Sequence, residues 1–303
     1  MAELVVVGSY NAGLSVHSAR LPAPGETVVG GRFENGPGGK GANQAIGARR
    51  LGTDVLFVTR IGADAFGDEA RAVLIAEGLS ERGITTDDRN PTGVALILVD
   101  EVGQNAISVA PGANLELRAP GVLRDFGDDL RGCRYLLMQL ECTAELAAGL
   151  ASWAHDAGIR AVLNPAPARP LPPEALAMFD IITPNEGELR TIADSLGLAG
   201  AGTAVLAEQL LGYGIGDVVV TLGGRGALWA SAAGLRHFDA YPVDAVDTTG
   251  AGDAFSAGLV AALVRGEPME SAIDHGCRAG AFCVTRNGVI DGLGHPADLA
   301  ALG

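Results

Sequence analysis

The chain is short of what a metal centre or a nucleic-acid surface requires. It has four cysteines, Cys133, Cys142, Cys277 and Cys283, and no two of them form a C-x-x-C pair. A structural zinc site is therefore not expected, and the four are read as buried free thiols. Its five histidines are scattered and no H-E-x-x-H is present, so chemistry on histidine-bound metal has no support. Basic residues are also scarce: 21 Lys and Arg stand against 36 Asp and Glu, for a formal net charge of −15. That balance excludes nucleic acid and anionic membrane surfaces as partners, since both select a basic face. ATP stays open, because a phosphate pocket needs only local positive potential from backbone N–H groups. No apolar run approaches the ~20 residues of a membrane span. Met1 leads straight into Leu4-Val5-Val6-Val7-Gly8 without a basic stretch, so no signal peptide and a cytoplasmic location are expected. No repeat or low-complexity period appears either.

What is present is apolar and rich in glycine. Hydrophobic residues make up 48% of 303, enough to bury the core of one large domain, 1–303, carrying a small appendage. Glycine, at 44 residues, has about twice its usual share of ~7%. It interrupts apolar runs, which points to tight turns and close backbone approaches. Brief apolar runs at 4–8, 55–59, 135–140, 159–163, 181–183 and 218–222 read as central strands of a parallel sheet. Helical patterns at 41–51, 66–78, 143–157, 186–196, 203–211 and 255–263 alternate with them. The alternation predicts a three-layer α/β domain with its binding groups beyond the carboxyl ends of the strands. Two segments, about 14–35 and 90–110, break it: strand-like pieces at 27–29, 94–99 and 106–109 have no helices between them. They are expected to form a small antiparallel sheet standing off the main domain as a lid, its open face covered by a ligand or a second subunit.

The strongest local signal is Asp247-Thr248-Thr249-Gly250-Ala251-Gly252-Asp253-Ala254-Phe255, a glycine-rich turn entering a helix. The glycines let successive N–H groups converge, and the positive end of the helix adds to their attraction for phosphate. Asp253, in the first turn, can accept a hydroxyl proton; the same residues also suit an ordinary helix cap. A second such turn, Asn35-Gly36-Pro37-Gly38-Gly39-Lys40-Gly41-Ala42-Asn43-Gln44, offers Lys40 and Asn43 to a polar ligand. Gly36, Gly38 and Gly41 satisfy the dinucleotide pattern G-x-G-x-x-G, but residues 30–35 do not read as the buried strand that pattern needs before it. Lys40 is followed by Gly, so a Walker A loop fails as well. Thr221-Leu222-Gly223-Gly224-Arg225-Gly226 follows a strand and suits either a phosphate or ribose contact or a bare turn. Asn185-Glu186-Gly187-Glu188 reads as a capping box.

Taken together and in this order, these motifs resemble the ribokinase family of carbohydrate kinases, from Val5 to about Gly288. Leu137-Met138-Gln139-Leu140-Glu141, Asn164-Pro165-Ala166-Pro167-Ala168, Thr183-Pro184-Asn185-Glu186 and Thr92-Gly93-Val94-Ala95-Leu96-Ile97 resemble the ribokinase branch. The resemblance implies a mostly parallel central sheet, and a β-sheet lid that pairs two subunits into a homodimer. It implies transfer of the γ-phosphoryl of MgATP to a sugar hydroxyl, the 5-hydroxyl for ribose. Asp253 would be the base, and the N–H groups of Gly250, Ala251 and Gly252 the anion hole. Asn11, Gly39, Lys40, Asn43 and Glu141 would hold the sugar. Asn185 and Glu188 would lie near the phosphates and magnesium, with Thr221, Gly223, Gly226 and Cys277 around the nucleotide. A potassium ion would sit by Asp247, Thr249, Cys283, Arg286 and Gly288, mostly on backbone carbonyls.

Two positions depart from the family pattern. Gly292 falls where the family often places a Ser ligand for the monovalent cation. Gly13, in Ser9-Tyr10-Asn11-Ala12-Gly13, falls where ribokinases carry an Asp that hydrogen-bonds sugar hydroxyls. Tyr10 lies close by in the chain and adds bulk and a hydroxyl. The alternatives left open are a kinase for another sugar such as 2-deoxyribose, a non-catalytic sugar-binding protein on the same fold, and a nucleotide-dependent sugar dehydrogenase.

Overall fold

The computed structural model describes residues 2–198, 200 and 202–302. Among them the strands, in chain order, are β1 (Leu4–Val7), β2 (Asn11–His17), β3 (Arg32–Gly38), β4 (Val55–Gly62), β5 (Ile84–Asp87), β6 (Gly93–Val99) and β7 (Asn105–Ala110). They continue with β8 (Tyr135–Gln139), β9 (Arg160–Asn164), β10 (Ile181–Ile182), β11 (Asp217–Thr221), β12 (Ala227–Ser231) and β13 (Gly234–Phe238). The helices are α1 (Lys40–Arg50), α2 (Ala65–Ala76), α3 (Ala119–Gly132), α4 (Ala144–Ala157) and the short α5 (Pro173–Leu176). After them come α6 (Glu186–Ser195), α7 (Thr203–Leu211), α8 (Ala251–Val264), α9 (Met269–Cys283) and the short α10 (Val289–Gly292).

Side chains alternate across a strand, and β1 shows what that does to the layering. Leu4 and Val6 pack into a core with Ile46 of α1, Leu74 of α2, Leu259 of α8 and Ile273 of α9. Val5 and Val7 face the opposite core, with Leu130 of α3, Leu150 of α4, Ile192 of α6 and Leu210 of α7. Both faces of the sheet are thus covered, as a parallel sheet requires. Its nine strands run β13-β12-β11-β10-β9-β8-β1-β4-β5. From β11 to β5 all pairings are parallel, and β12 and β13 add an antiparallel hairpin at one edge. The three-layer α/β expectation holds; β5, β12, β13, α3, α9 and the short α5 and α10 are additions to it.

The second sheet has four strands in the order β3-β2-β6-β7, and it differs from the expected lid in three ways. It is mixed, because β2 and β6 are parallel while β2–β3 and β6–β7 are antiparallel. Both β2 and β6 leave the body at the same place, where Asn11 pairs with Gly93, so they travel outward together. Residues 27–29 form no strand; they lie between Gly25 and Gly30, at φ 82° and 99°. The run 30–35, which does not read as a buried strand, supplies the start of β3 instead. That strand is exposed for most of its length, so it is not the buried strand a dinucleotide fingerprint needs.

Candidate active site

The parallel strands end at one rim, and the polar residues of interest collect there. The loop after β1 carries Ser9, Asn11 opens β2, the loop after β8 carries Glu141, and Asn164 closes β9. Thr183 follows β10, and Asn185 bridges to Thr221 at the end of β11. Two helix starts complete the rim. At α1, Gly39 has φ 91°, and a Cβ there would stand 2.8 Å from Asn11 N and 2.9 Å from Ser9 O. Only glycine lets this turn lie against the β1 loop. At α8, Gly250 is the N-cap at φ 81° with no side-chain cap.

The start of α8 leaves donors free. First-turn N–H groups have no acceptor within their helix. That of Ala251 reaches the Thr248 carbonyl at 3.4 Å, whereas those of Gly250, Gly252 and Asp253 have no acceptor among the described residues. They border a cavity of about 190 Å³ whose other walls include Lys40, Asn164, Asn185, Glu188 and Thr221. The capping box at α6 is present: Asn185 Oδ1 accepts from the Glu188 N–H, and Glu188 Oε2 accepts from the Asn185 N–H, both at 2.8 Å. Glu188 Oε1 is left over, and burial raises this carboxyl above its ordinary range. A cation in the cavity would satisfy it, so the donor set fits a phosphate-bound magnesium ion.

Asp253 is 4% exposed. Its Oδ1 accepts from Gln44 Nε2 and its Oδ2 from Asn43 Nδ2, both at 2.8 Å. Among the described residues Lys40 forms no ion pair; the Asp253 carboxylate raises its ammonium pKa most, burial opposes, and Glu141 and Glu188 add to the rise. On the far side of Lys40, Glu141 Oε2 accepts from Ser9 Oγ at 2.5 Å, Lys40 N–H at 2.8 Å and Asn11 Nδ2 at 3.3 Å. Asn43 Oδ1 is buried without a partner, an acceptor free for a hydroxyl. Asn11, Gly39, Lys40, Asn43, Glu141 and Asp253 are therefore one cluster.

Other expected positions fall differently. Gly223 and Gly226 form the turn after β11, at φ 59° and 88°. Cys277 lies in the core against α8, 8% exposed, and burial pushes its thiol up to about 12. All four cysteines are free and buried. Asp247, Thr249, Cys283, Arg286 and Gly288 do meet. Asp247 Oδ1 accepts from Thr249 N–H at 2.9 Å and Oδ2 from Gly288 N–H at 3.1 Å. Burial works to raise the Asp247 carboxyl, but these bonds and the Thr249 hydroxyl outweigh it and hold it below its ordinary range. The Cys283 thiol lies 3.5 Å from the Thr249 carbonyl, and the Arg286 N–H donates to the Cys283 carbonyl at 3.2 Å. A Cβ at Gly292 would come within 2.8 Å of Cys283 Sγ, so the cysteine occupies the space a serine there would need.

Gly13 and Tyr10 part company. The Asn11 side chain turns to Glu141, so alternation puts Gly13 on the same, site-facing side of β2. Opposite it on that face are Gly36 and Ala95, and beyond Ala95 is Val109. This row has no hydrogen-bonding side chain. Tyr10 points the other way, into the core with Ile46, Ile61 and Leu74, so it does not stand in for a carboxylate at position 13. Sequence reading also passed over Ser9, Gln44, Asn114, Gln139 and Asn164. Asn114, 1% exposed, donates to Tyr10 O at 2.8 Å and to Asn11 Oδ1 at 2.9 Å, orienting Asn11 at the foot of the lid.

Residues 1–295 match the profile described as pfkB family carbohydrate kinase. A ribokinase of Haemophilus influenzae is 38% identical, over 94% of this chain and 93% of its own. A deoxyribokinase of Salmonella typhi is 33% identical, over 94% of each. The structure of Arabidopsis thaliana ribokinase complexed with ribose and ATP superposes with a TM-score of 0.89 at 30% identity, over 99% of this chain and 98% of the other. With a family match over nearly its whole length and relatives of this identity and coverage, the chain belongs to the pfkB family of carbohydrate kinases.

Proposed function

We propose that the chain transfers the γ-phosphoryl of MgATP to the 5-hydroxyl of D-ribose, with Asp253 as the base. The observation that carries this is the place of Asp253. It is a buried carboxylate beside free N–H groups at the start of α8, between the Glu141–Asn11 cluster and the cavity bordered by Asn185, Glu188 and Thr221. A sugar on the first side, held by Asn11, Gly39, Lys40, Asn43 and Glu141, presents its hydroxyl to Asp253. Phosphates on the other side meet the N–H groups of Gly250, Ala251 and Gly252, which stabilise charge as the phosphoryl moves. Thr221, Gly223, Gly226 and Cys277 flank the nucleotide. Asn185 and Glu188 would hold the magnesium, which neutralises phosphate charge. Purified protein with MgATP, tested for ADP release across pentoses, deoxypentoses, hexoses and nucleosides, decides the reading; no release with any sugar removes it.

A second reading, 2-deoxyribose as the preferred acceptor, is favoured by the apolar row at Gly13. A hydrogen bond to a charged group contributes roughly 1.5–3 kcal/mol, and this lid row supplies none. Gly13 is not in the left-handed region, and a Cβ there would meet only Gly36 O, at 3.2 Å, so Gly13→Asp requires the β3 backbone to give slightly. The expected outcome is a KM for ribose lower by about tenfold, with a smaller change for 2-deoxyribose. Strong ribose selectivity in the unaltered protein, worsened by the substitution, would defeat this reading.

We also infer a potassium site at Asp247, Thr249, Cys283, Arg286 and Gly288. A carboxylate held ionised among backbone carbonyls suits a hard monovalent cation, although position 292 adds no side-chain oxygen. Potassium is expected to raise kcat over Tris buffer alone; equal rates would show that the site does not serve catalysis. On the face of the lid turned away from the site, Phe33 and Leu96 are more than half exposed, at 62% and 55%, which supports pairing of two lids in a homodimer. Sedimentation equilibrium checks it.

A further inference from the structure

The carboxylate of Asp253 is held by amides, and one of those amides is itself held from behind. Asn43 belongs to the proposed sugar contacts. Gln44 does not: it is 0% exposed and is not among the residues lining the cavity at the start of α8. Its Nε2 donates to Asp253 Oδ1 at 2.8 Å and also reaches Asn164 Oδ1 at 3.0 Å. Its Oε1 accepts from Gln139 Nε2 at 2.6 Å. Asn164 in turn donates through Nδ2 to the Thr183 carbonyl at 2.9 Å. Gln139 and Asn164 are 3% and 5% exposed, so these bonds are largely shielded from solvent.

The direction of this chain of donors is fixed. Turning the Gln44 amide over would aim its oxygen at a carboxylate and set its NH₂ against that of Gln139. Turning Gln139 over would bring two carbonyl oxygens together. Gln139 keeps that orientation although its own Oε1 is then buried without a partner. Gly8 is pressed against the same oxygen, 2.1 Å from where a Cβ would stand. A buried polar group left unpaired is unfavourable, so the donation into Gln44 is maintained against a local penalty.

We propose that Gln44 is a positioning residue for the base: it fixes the rotation of the Asp253 carboxylate so that a free lone pair faces the acceptor hydroxyl. The inference rests on the reading of Asp253 as base. A 1 Å misplacement of a reacting group can lower a rate by about 10²-fold, so the loss should appear in kcat.

The test uses Gln44→Met and Gln44→Glu in the full chain, beside Asp253→Asn. Gln44→Met keeps length and removes the donor. Its kcat should fall about 10- to 100-fold with KM for sugar and for ATP within about twofold. Gln44→Glu sets a second carboxyl against Asp253, and the pair can share one proton. When protonated, Glu at this position regains a donor to Asp253; when ionised, it repels it. The kcat of this variant relative to the unaltered protein should therefore rise as pH falls from about 8.5 to about 6. Lys40, Glu188 and Cys283, the other titratable groups that sense Asp253, are common to both proteins and cancel in the ratio. Turnover retained by Asp253→Asn would remove the base itself. An inactive Asp253→Asn with Gln44→Met keeping more than about a third of kcat, or raising KM alone, would overturn the positioning role and leave the base standing. If Gln44→Met does not fold, a pH-independent ratio for Gln44→Glu overturns it equally.

Discussion

Asp253→Asn should abolish turnover while ATP still binds. Loss of a general base typically lowers a rate by ~10²–10⁴, and kcat from ADP release should fall in that range. The substitution keeps the shape of the side chain but changes what it offers its neighbours. Gln44 Nε2 and Asn43 Nδ2 donate to separate oxygens of Asp253. An asparagine has one oxygen, so one of the two donors meets an NH₂ group. Leaving a buried donor unpaired costs about 1–3 kcal/mol, and a modest drop in melting temperature should accompany the loss of rate. Lys40 also loses the largest of the fields that raise its ammonium pKa. The hydrogen bonds of Asn185, Glu188 and Thr221 stay as they are, so calorimetric ATP affinity should stay within a few-fold. A variant keeping more than roughly a tenth of kcat would remove Asp253 from the chemistry.

What could be read from the sequence was what short-range spacing determines. The turn and helix at 247–255 follow from glycines and a helix pattern lying side by side, and the capping box at Asn185 and Glu188 spans four residues. The central strands were visible because a parallel sheet buried on both faces needs unbroken apolar runs. β3 was not. Arg-Phe-Glu-Asn-Gly-Pro-Gly lacks alternation and has one β-former, Phe33, and it is held in the lid by pairing with β2 along its whole length. As the edge strand of that sheet it tolerates Pro37, whose missing N–H would break a central ladder. Residues 27–29 erred the other way: suitable side chains, but no neighbouring strand to pair with. The site divides similarly. Asp253, Lys40 and Glu141 announce themselves by type and motif, whereas Gln44 and Gln139 acquire their meaning from partners 209 and 95 residues away. Likewise Tyr10 adjoins Asn11 in the chain and offers a hydroxyl there, but it is buried in the core.

Gly250→Ala should disable the enzyme through the backbone, leaving every proposed catalytic side chain in place. Two strains coincide at this position. Gly250 has φ 81°, in the left-handed region that costs a non-glycine residue roughly 1–3 kcal/mol. A Cβ there would also lie 2.5 Å from Val289 Cγ1 and 3.1 Å from its Cγ2. Val289 opens α10, the segment that Arg50 Nη1 ties to α1 through the Ile290 and Leu293 carbonyls at 2.6 and 2.8 Å, so it has little room to retreat. The turn must move, and with it the N–H groups proposed as the anion hole. Removing one such donor costs about 10²–10³ in kcat, and a comparable loss is expected. Val289→Ala separates the two strains. It deletes both Cγ atoms and leaves the Cβ at 3.2 Å, a tight contact but one that small shifts relieve. Alone it should lower kcat only slightly, by ~2- to 3-fold at most, because the glycine keeps its conformation. Combined with Gly250→Ala it should recover part of the lost kcat, and the shortfall then measures the backbone term by a double-mutant cycle. Full activity in the single Gly250→Ala variant would mean that the turn before α8 does not stabilise the transferring phosphoryl. A double variant no better than the single would place the whole effect in φ, with Val289 a bystander.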